Sequence, residues 1–321
     1  MNRLFRTLIV LMAAAALALP ATAKDDALSL VPAGAVTVGM VQLADMRSSP
    51  LSSLLFQHID EMSTDGEAEK FLLEAGLRPL RDVDALVVAT SPRTTLGSEA
   101  DVLVIAEGRF QPERLAAVLL SRGAVKKGSY IVLPESEGEP GAVAFLSPSL
   151  AIAGNERAVV NALAARAKGG TGFVSRGTLA MDLGRVDRAA TAWAIVDVPR
   201  AARLAKGGTI HTGNGQPGAA LQAALKSVST VAVWARDTGD TLHLGATGLS
   251  NDAETLELLE DVARGALAAM RIALKDKAPE MVSVLRRFDV DRKSESITVE
   301  GSIPAATLRE LMAKQLAVAM K

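Results

Sequence analysis

The 321-residue chain predicts an α+β protein of two tandem, similar units, each a mainly antiparallel sheet with helices packed on one face. Three observations carry this expectation. Apolar runs of strand length are bounded by Gly, Pro, Ser and Asp. Between them lie stretches with apolar residues at helical spacing. The order of the two element types then recurs in the second half of the chain.

The elements follow in order. Residues 1–23 read as a cleavable leader. Arg3 and Arg6 make a short basic start, Leu8 to Leu19 is a greasy run of 12 residues, and Pro20 precedes the small-residue exit Ala21-Thr22-Ala23. A membrane span needs about 20 residues, so no transmembrane span is expected once the leader is removed. The remainder, from Lys24, is expected to be periplasmic or secreted.

Ala35–Leu43 is the first expected strand. Asp82–Thr90 and Asp101–Gly108 form a hairpin, and short strands follow at Tyr130–Leu133, Ala142–Leu146 and Leu150–Ala153. Ser49 can cap a helix with Pro50 at its first position, presenting Leu51, Leu54, Leu55, His58, Ile59 and Met62 on one face. Glu69–Ala75 is a shorter helix closed by Gly76. Another helix begins at Phe110-Gln111-Pro112-Glu113 and runs through Leu119, and Asn155 caps a third.

The order then repeats. Thr191–Val198, Val228–Arg236 and Thr241–Gly248 are strands. Asn251, with Glu254 placed for a capping box, opens a long helix striped by Leu256, Leu259, Val262, Ala266, Met270 and Leu274. Strands at Val284–Val290 and Ser296–Ile303 and a helix at Pro304–Met320 close the chain. The units are 24–170 and 171–321, joined near Lys168–Gly172.

Composition narrows the function. The chain has no cysteine, so disulfides, thiolate chemistry and lipidation at the leader are excluded. Basic and acidic residues balance, 35 against 36, and no nucleic-acid partner is expected. Seven Phe, two Trp and one Tyr are too few for a stacking platform.

No catalytic, cofactor or metal residue stands out. Gly213-Asn-Gly215-Gln-Pro-Gly218 is formally G-x-G-x-x-G, but only Thr209-Ile210-His211 precedes it where a buried strand is needed, and Pro217 sits where the helix should begin. It reads as a glycine-rich loop. His58, His211 and His243 have no metal-ligand spacing. The acidic groups Glu135, Glu137 and Glu139, the pair Asp82 and Asp84, and the pair Asp289 and Asp291 lack the calcium-loop pattern and read as solvated loop and edge charges. The C-terminal stripe of Leu308, Leu311, Met312 and Leu316 reads as packing on the chain's own sheet.

The run Gly108-Arg-Phe-Gln-Pro-Glu-Arg-Leu115, with Gly123-Ala124, Tyr130, Ala142–Leu146 and Ala153–Leu163, resembles a loose group of uncharacterised exported bacterial proteins. The resemblance covers mainly the first half. It implies the fold and carries no catalytic residues. Export, apparent duplication and the missing constellation together favour a non-enzymatic protein that binds an unknown protein or small-molecule ligand in the envelope. The alternative is a hydrolase with a dispersed site.

Overall fold

The apolar runs of both halves become strands of one 12-stranded antiparallel sheet. The computed structural model describes residues 24–321 except 48, 50–70, 72, 94–98, 135–138, 170–172, 178, 188–189, 205–226, 277 and 311–321. The helices expected from Ser49–Pro50 and over most of Pro304–Met320, and the run Gly213–Gly218, lie outside the described residues, as do His58, His211, Glu135 and Glu137.

In chain order, helix α1 (Lys24–Ser29) precedes β1 (Thr37–Gln42), α2 (Leu43–Met46), α3 (Pro79–Asp82), β2 (Val83–Pro92) and β3 (Ala100–Gly108). Then come α4 (Pro112–Ser121), β4 (Val125–Lys127), β5 (Tyr130–Val132), β6 (Gly141–Ser147), β7 (Leu150–Asn155), α5 (Glu156–Ala167) and α6 (Phe173–Arg176). A 3₁₀ turn (Met181–Arg185) leads to β8 (Ala192–Asp197), α7 (Val198–Leu204), β9 (Thr230–Asp237) and β10 (Thr241–Leu249). The chain continues through α8 (Ala253–Leu274), α9 (Pro279–Leu285), β11 (Asp289–Lys293) and β12 (Ser296–Pro304). Residues 305–310 are helical.

The α+β class is as the periodicities predict, with two differences of arrangement. The two halves share one sheet, ordered β11-β12-β10-β9-β8-β1-β2-β3-β7-β6-β5-β4. They join where β1 and β8 pair antiparallel, Gly39 opposite Ala194. Helices also pack on both faces rather than one. Val38, Met40, Val87 and Ile105 lie under α1 and α5, on what we term the upper face. Val41, Leu86 and Val104 lie against α2 and α4 on the lower face, and α8 joins that face through Ile297 and Val299. The cause is in the central strands, which are apolar on alternate and intervening positions alike, so each face needs a cover.

Three local expectations are corrected. Val284–Val290 is not one strand. Pro279 opens α9 at its first turn, Val284 and Leu285 are buried in that helix, and only Asp289–Lys293 pairs as an edge strand. The long helix is capped by Asp252 rather than Asn251, its carboxylate accepting from the Glu254 amide. Asn155 stands at the N-cap of α5 without a side-chain cap bond. Its amide is spent elsewhere, accepting from the Val102 amide at 2.6 Å and donating to Glu139 at 2.9 Å.

Among the described residues, no helix is long and apolar enough to cross a membrane.

Candidate functional site

The site begins with a close backbone approach. A Cβ on Gly108 would lie 2.1 Å from the Asp82 carbonyl, so only glycine lets the end of β3 pass the end of α3. The next residues are then fixed by backbone bonds: the Arg109 amide donates to the Asp82 carbonyl at 2.7 Å, and the Phe110 amide to the Pro148 carbonyl at 2.7 Å. Pro112 sits in the first turn of α4, where its missing N–H costs nothing. Gln111 is the N-cap and supplies no side-chain bond, unlike the Ser, Thr, Asp or Asn that usually satisfies those amides.

These elements enclose a depression of about 560 Å³ on the lower face, within the usual range for small-molecule sites. Its floor is Leu77, Phe110 and Leu115, and its mouth carries Arg81, Arg109 and Gln111. One wall is Gly76 at φ +66°, where a Cβ would meet the Arg114 guanidinium at 2.6 Å. Arg114 lies across this glycine and donates to the Glu74 carbonyl at 3.1 and 2.9 Å, tying the wall to α4.

The one described carboxylate lining the depression is already matched. Asp82 accepts from the Arg78 amide at 2.8 Å and from Arg81 at 2.7 and 3.1 Å. Burial works against its charge but is outweighed by the Arg81 and Arg78 hydrogen bonds and by the charges of Arg81 and Arg109, so its carboxyl titrates below the usual range. Such a group stabilises the fold above the pKa it has when unfolded, and that contribution is lost as pH falls through the lowered folded value. Thermal midpoints of Asp82→Asn should therefore lie below wild type at pH 7 and converge with it as the pH drops below about 4. Arg109 differs from Arg81: its guanidinium donates to the Arg81 carbonyl, and no described carboxylate forms an ion pair with it.

A second depression, about 340 Å³, lies on the upper face beside α5. Here Asp101 is held between Arg93 at 3.0 Å and Arg157 at 3.0 Å, and Arg93 also pairs with Glu99 at 3.2 Å and with Glu139. The guanidinium charges are matched by carboxylates within the protein. This cluster is a clamp holding the β2–β3 hairpin to α5.

The expected absence of a chemical constellation can be set against the geometry. His243 lies on β10 across from Arg236 and Ser302. Asp84 pairs with Arg47 at 2.6 Å, while Asp82, in α3, serves the depression, so these two acids have separate partners. Asp289 and Asp291 are exposed on edge strand β11. No described group of three or more His, Asp or Glu residues could hold a metal ion. The residues that sequence reasoning missed are Arg81 and Arg109. The one available signal was Gln111 standing before Pro112, where a capping side chain is usual.

No protein-family model matches the chain, and no curated protein matches it. Among solved structures it is similar to TP0453. Crystal form III of that protein is 12% identical at a TM-score of 0.50, covering 91% of this chain and all of that one. Crystal form I is 11% identical at a TM-score of 0.46, covering 91% and 98%. The form III likeness is one of fold.

Proposed function

We propose that this chain is an exported binding protein of the cell envelope, non-enzymatic, built from two copies of one α+β unit, and that the first copy takes a small anionic amphiphile in the depression beside α4. The observation that carries the ligand class is the depression itself, an apolar floor beneath a guanidinium, Arg109, that makes no direct ion pair with a described carboxylate and acts on Asp82 only through its charge. A carboxylate or phosphate head would sit at Arg109 and the unfilled first turn of α4, where the helix dipole also favours an anion. A short apolar tail would cover Leu77, Phe110 and Leu115.

The two copies are supported by strand order. From the β1–β8 seam, the first half runs outward as β1-β2-β3-β7-β6, with β5 and β4 added beyond it, and the second as β8-β9-β10-β12-β11. In each, the helix after the third strand lies on the lower face, α4 in one half and α8 in the other. Their N-termini differ. Asp252 fills that of α8, accepting from the Glu254 amide at 3.2 Å and from the Thr255 hydroxyl. This reading makes the second copy self-capped by its own carboxylate and leaves the first open to a carboxylate from outside.

The test is a thermal-shift titration of the purified chain with octanoate, octyl phosphate and, as an uncharged control, octanol. A probe at ten times its Kd stabilises by about 1.4 kcal/mol. Both anions should raise the midpoint, octanol should raise it less, and Arg109→Met should flatten the anion response. Equal responses to all three probes, or none to any, would defeat this assignment. Native mass spectrometry of protein drawn from its host's envelope would then identify the natural occupant.

A further inference from the structure

The lower face carries an uncovered apolar strip over β8, β9 and β10. Its members follow from register. Ala192 belongs to the lower-face core, and directly paired or alternate residues share a face. Ala194, Val196, Val231, Val233, Leu244 and Ala246 therefore lie on that face too. Val233 is 42% exposed and the other five are half-buried. A contiguous exposed apolar surface of this kind marks a place where something docks.

Helix α8 borders the strip with a second apolar flank. Its basic flank reaches outward to the edge of the sheet, where Arg264 donates to the Val290 carbonyl at 2.8 Å and Arg271 to the Leu285 carbonyl at 2.7 Å. The opposite flank, over β10 and β9, carries Val262, Ala266, Met270 and Ala273 at helical spacing. Met270 is 43% exposed, and Ala266 and Ala273 are exposed as well.

The chain itself arrives at this strip. Met46 of α2 is buried in the lower-face core, and Phe71 packs against the same core, so residues 50–70 leave and rejoin the described structure on this face. Their point of departure is tied to β9, since the Ser49 hydroxyl donates to Asp237, the last residue of that strand. The sequence from there puts Leu51, Leu54, Leu55, Ile59 and Met62 on one side of a helix, with Ser53, Gln57 and Asp60 on the others. Residues 50–62 as a helix would run about 20 Å, against about 26 Å for the eight residues of β9.

We propose that residues 50–62 dock as an amphipathic helix on the lower-face strip, laying their apolar side on Val233 and its neighbours and against the Val262–Ala273 flank of α8. The first half of the chain would thereby cover the sheet of the second. The strip is separate from the α4 depression, and its occupant does not depend on the ligand proposed there.

The chain has no cysteine, so introduced thiols report without background. The thiol of Val233→Cys should react with a maleimide about tenfold more slowly than that of Met181→Cys, a residue 91% exposed. Adding Leu55→Asp and Ile59→Asp should restore fast labelling. Equal rates in the two single variants would mean an open strip and overturn the proposal, as would protection that survives the two aspartates. Crosslinking keeps the stripe apolar and does not depend on those aspartates folding. Under mild oxidation, Val233→Cys should form an intrachain disulfide with Leu55→Cys or Ile59→Cys and not with Asp60→Cys. No intrachain disulfide with either stripe position, equal yield with Asp60→Cys, or a disulfide only between chains, which would assign the strip to a second copy, overturns it.

Discussion

Arg93→Met should cost about 3 kcal/mol in a denaturant titration, the size expected for breaking a largely buried ion pair. Arg93 is 18% exposed and is shared by Asp101, Glu99 and Glu139. Asp101 is more deeply buried, at 11%, and would be left with Arg157 alone. The loss is structural as well as electrostatic. Asp101 is the second residue of β3 and Arg157 the second of α5, so the clamp fixes the hairpin end against the helix. Part of the penalty should return when Asp101→Asn is added, because the buried carboxylate left with Arg157 alone is then removed. A coupling of about 1 kcal/mol in that double-mutant cycle is the expected outcome. Strict additivity would show that Arg93 acts through its contacts with Glu99 and Glu139 and not through Asp101.

The second large effect is at Gly108. A methyl group there would lie 2.1 Å from the Asp82 carbonyl and 2.9 Å from the Val83 Cα. Neither atom can move away without parting β2 from β3 at Val83 opposite Gly108. Gly108→Ala should cost about 3 kcal/mol, the upper end for forced overpacking, read from thermal or chemical unfolding. Because the same approach seats Arg109 and Phe110, the folded variant should also lose its response to octanoate. Gly34→Ala is the control, since nothing lies within 4 Å of a Cβ there, and its midpoint should match wild type. A stable Gly108→Ala with intact octanoate response would show that the α3–β3 junction tolerates separation and does not shape the depression.

Local chemistry made the elements legible. β2, β3 and β10 match their expected ranges to within a few residues, because alternation and flanking Gly, Pro and Asp act within a few residues of chain. The same logic failed at Val284–Val290. There Leu285 packs with Leu256 and Leu267 of α8 in the lower-face core, a contact that no local pattern contains. It also misplaced the α8 cap by one residue, since Asn251 and Asp252 both suit the position and only backbone geometry chooses between them.

The sequence by itself determined the α+β class, the identity of most strands and helices, and the absence of any cysteine chemistry. These depend on composition and on periods of two and 3.6 residues, which are properties of short windows. Tertiary structure alone decided that the halves share one sheet, that helices cover both its faces, and that Arg81 and Arg109 come together over an apolar floor. It also decided that Gln42, Trp193 and Arg236 stand on adjacent strands at one end of the sheet. Those residues are separated by up to 194 positions in the chain. Pairing between β1, β8 and β9 brings them together, and that register is set by the packing of both faces at once.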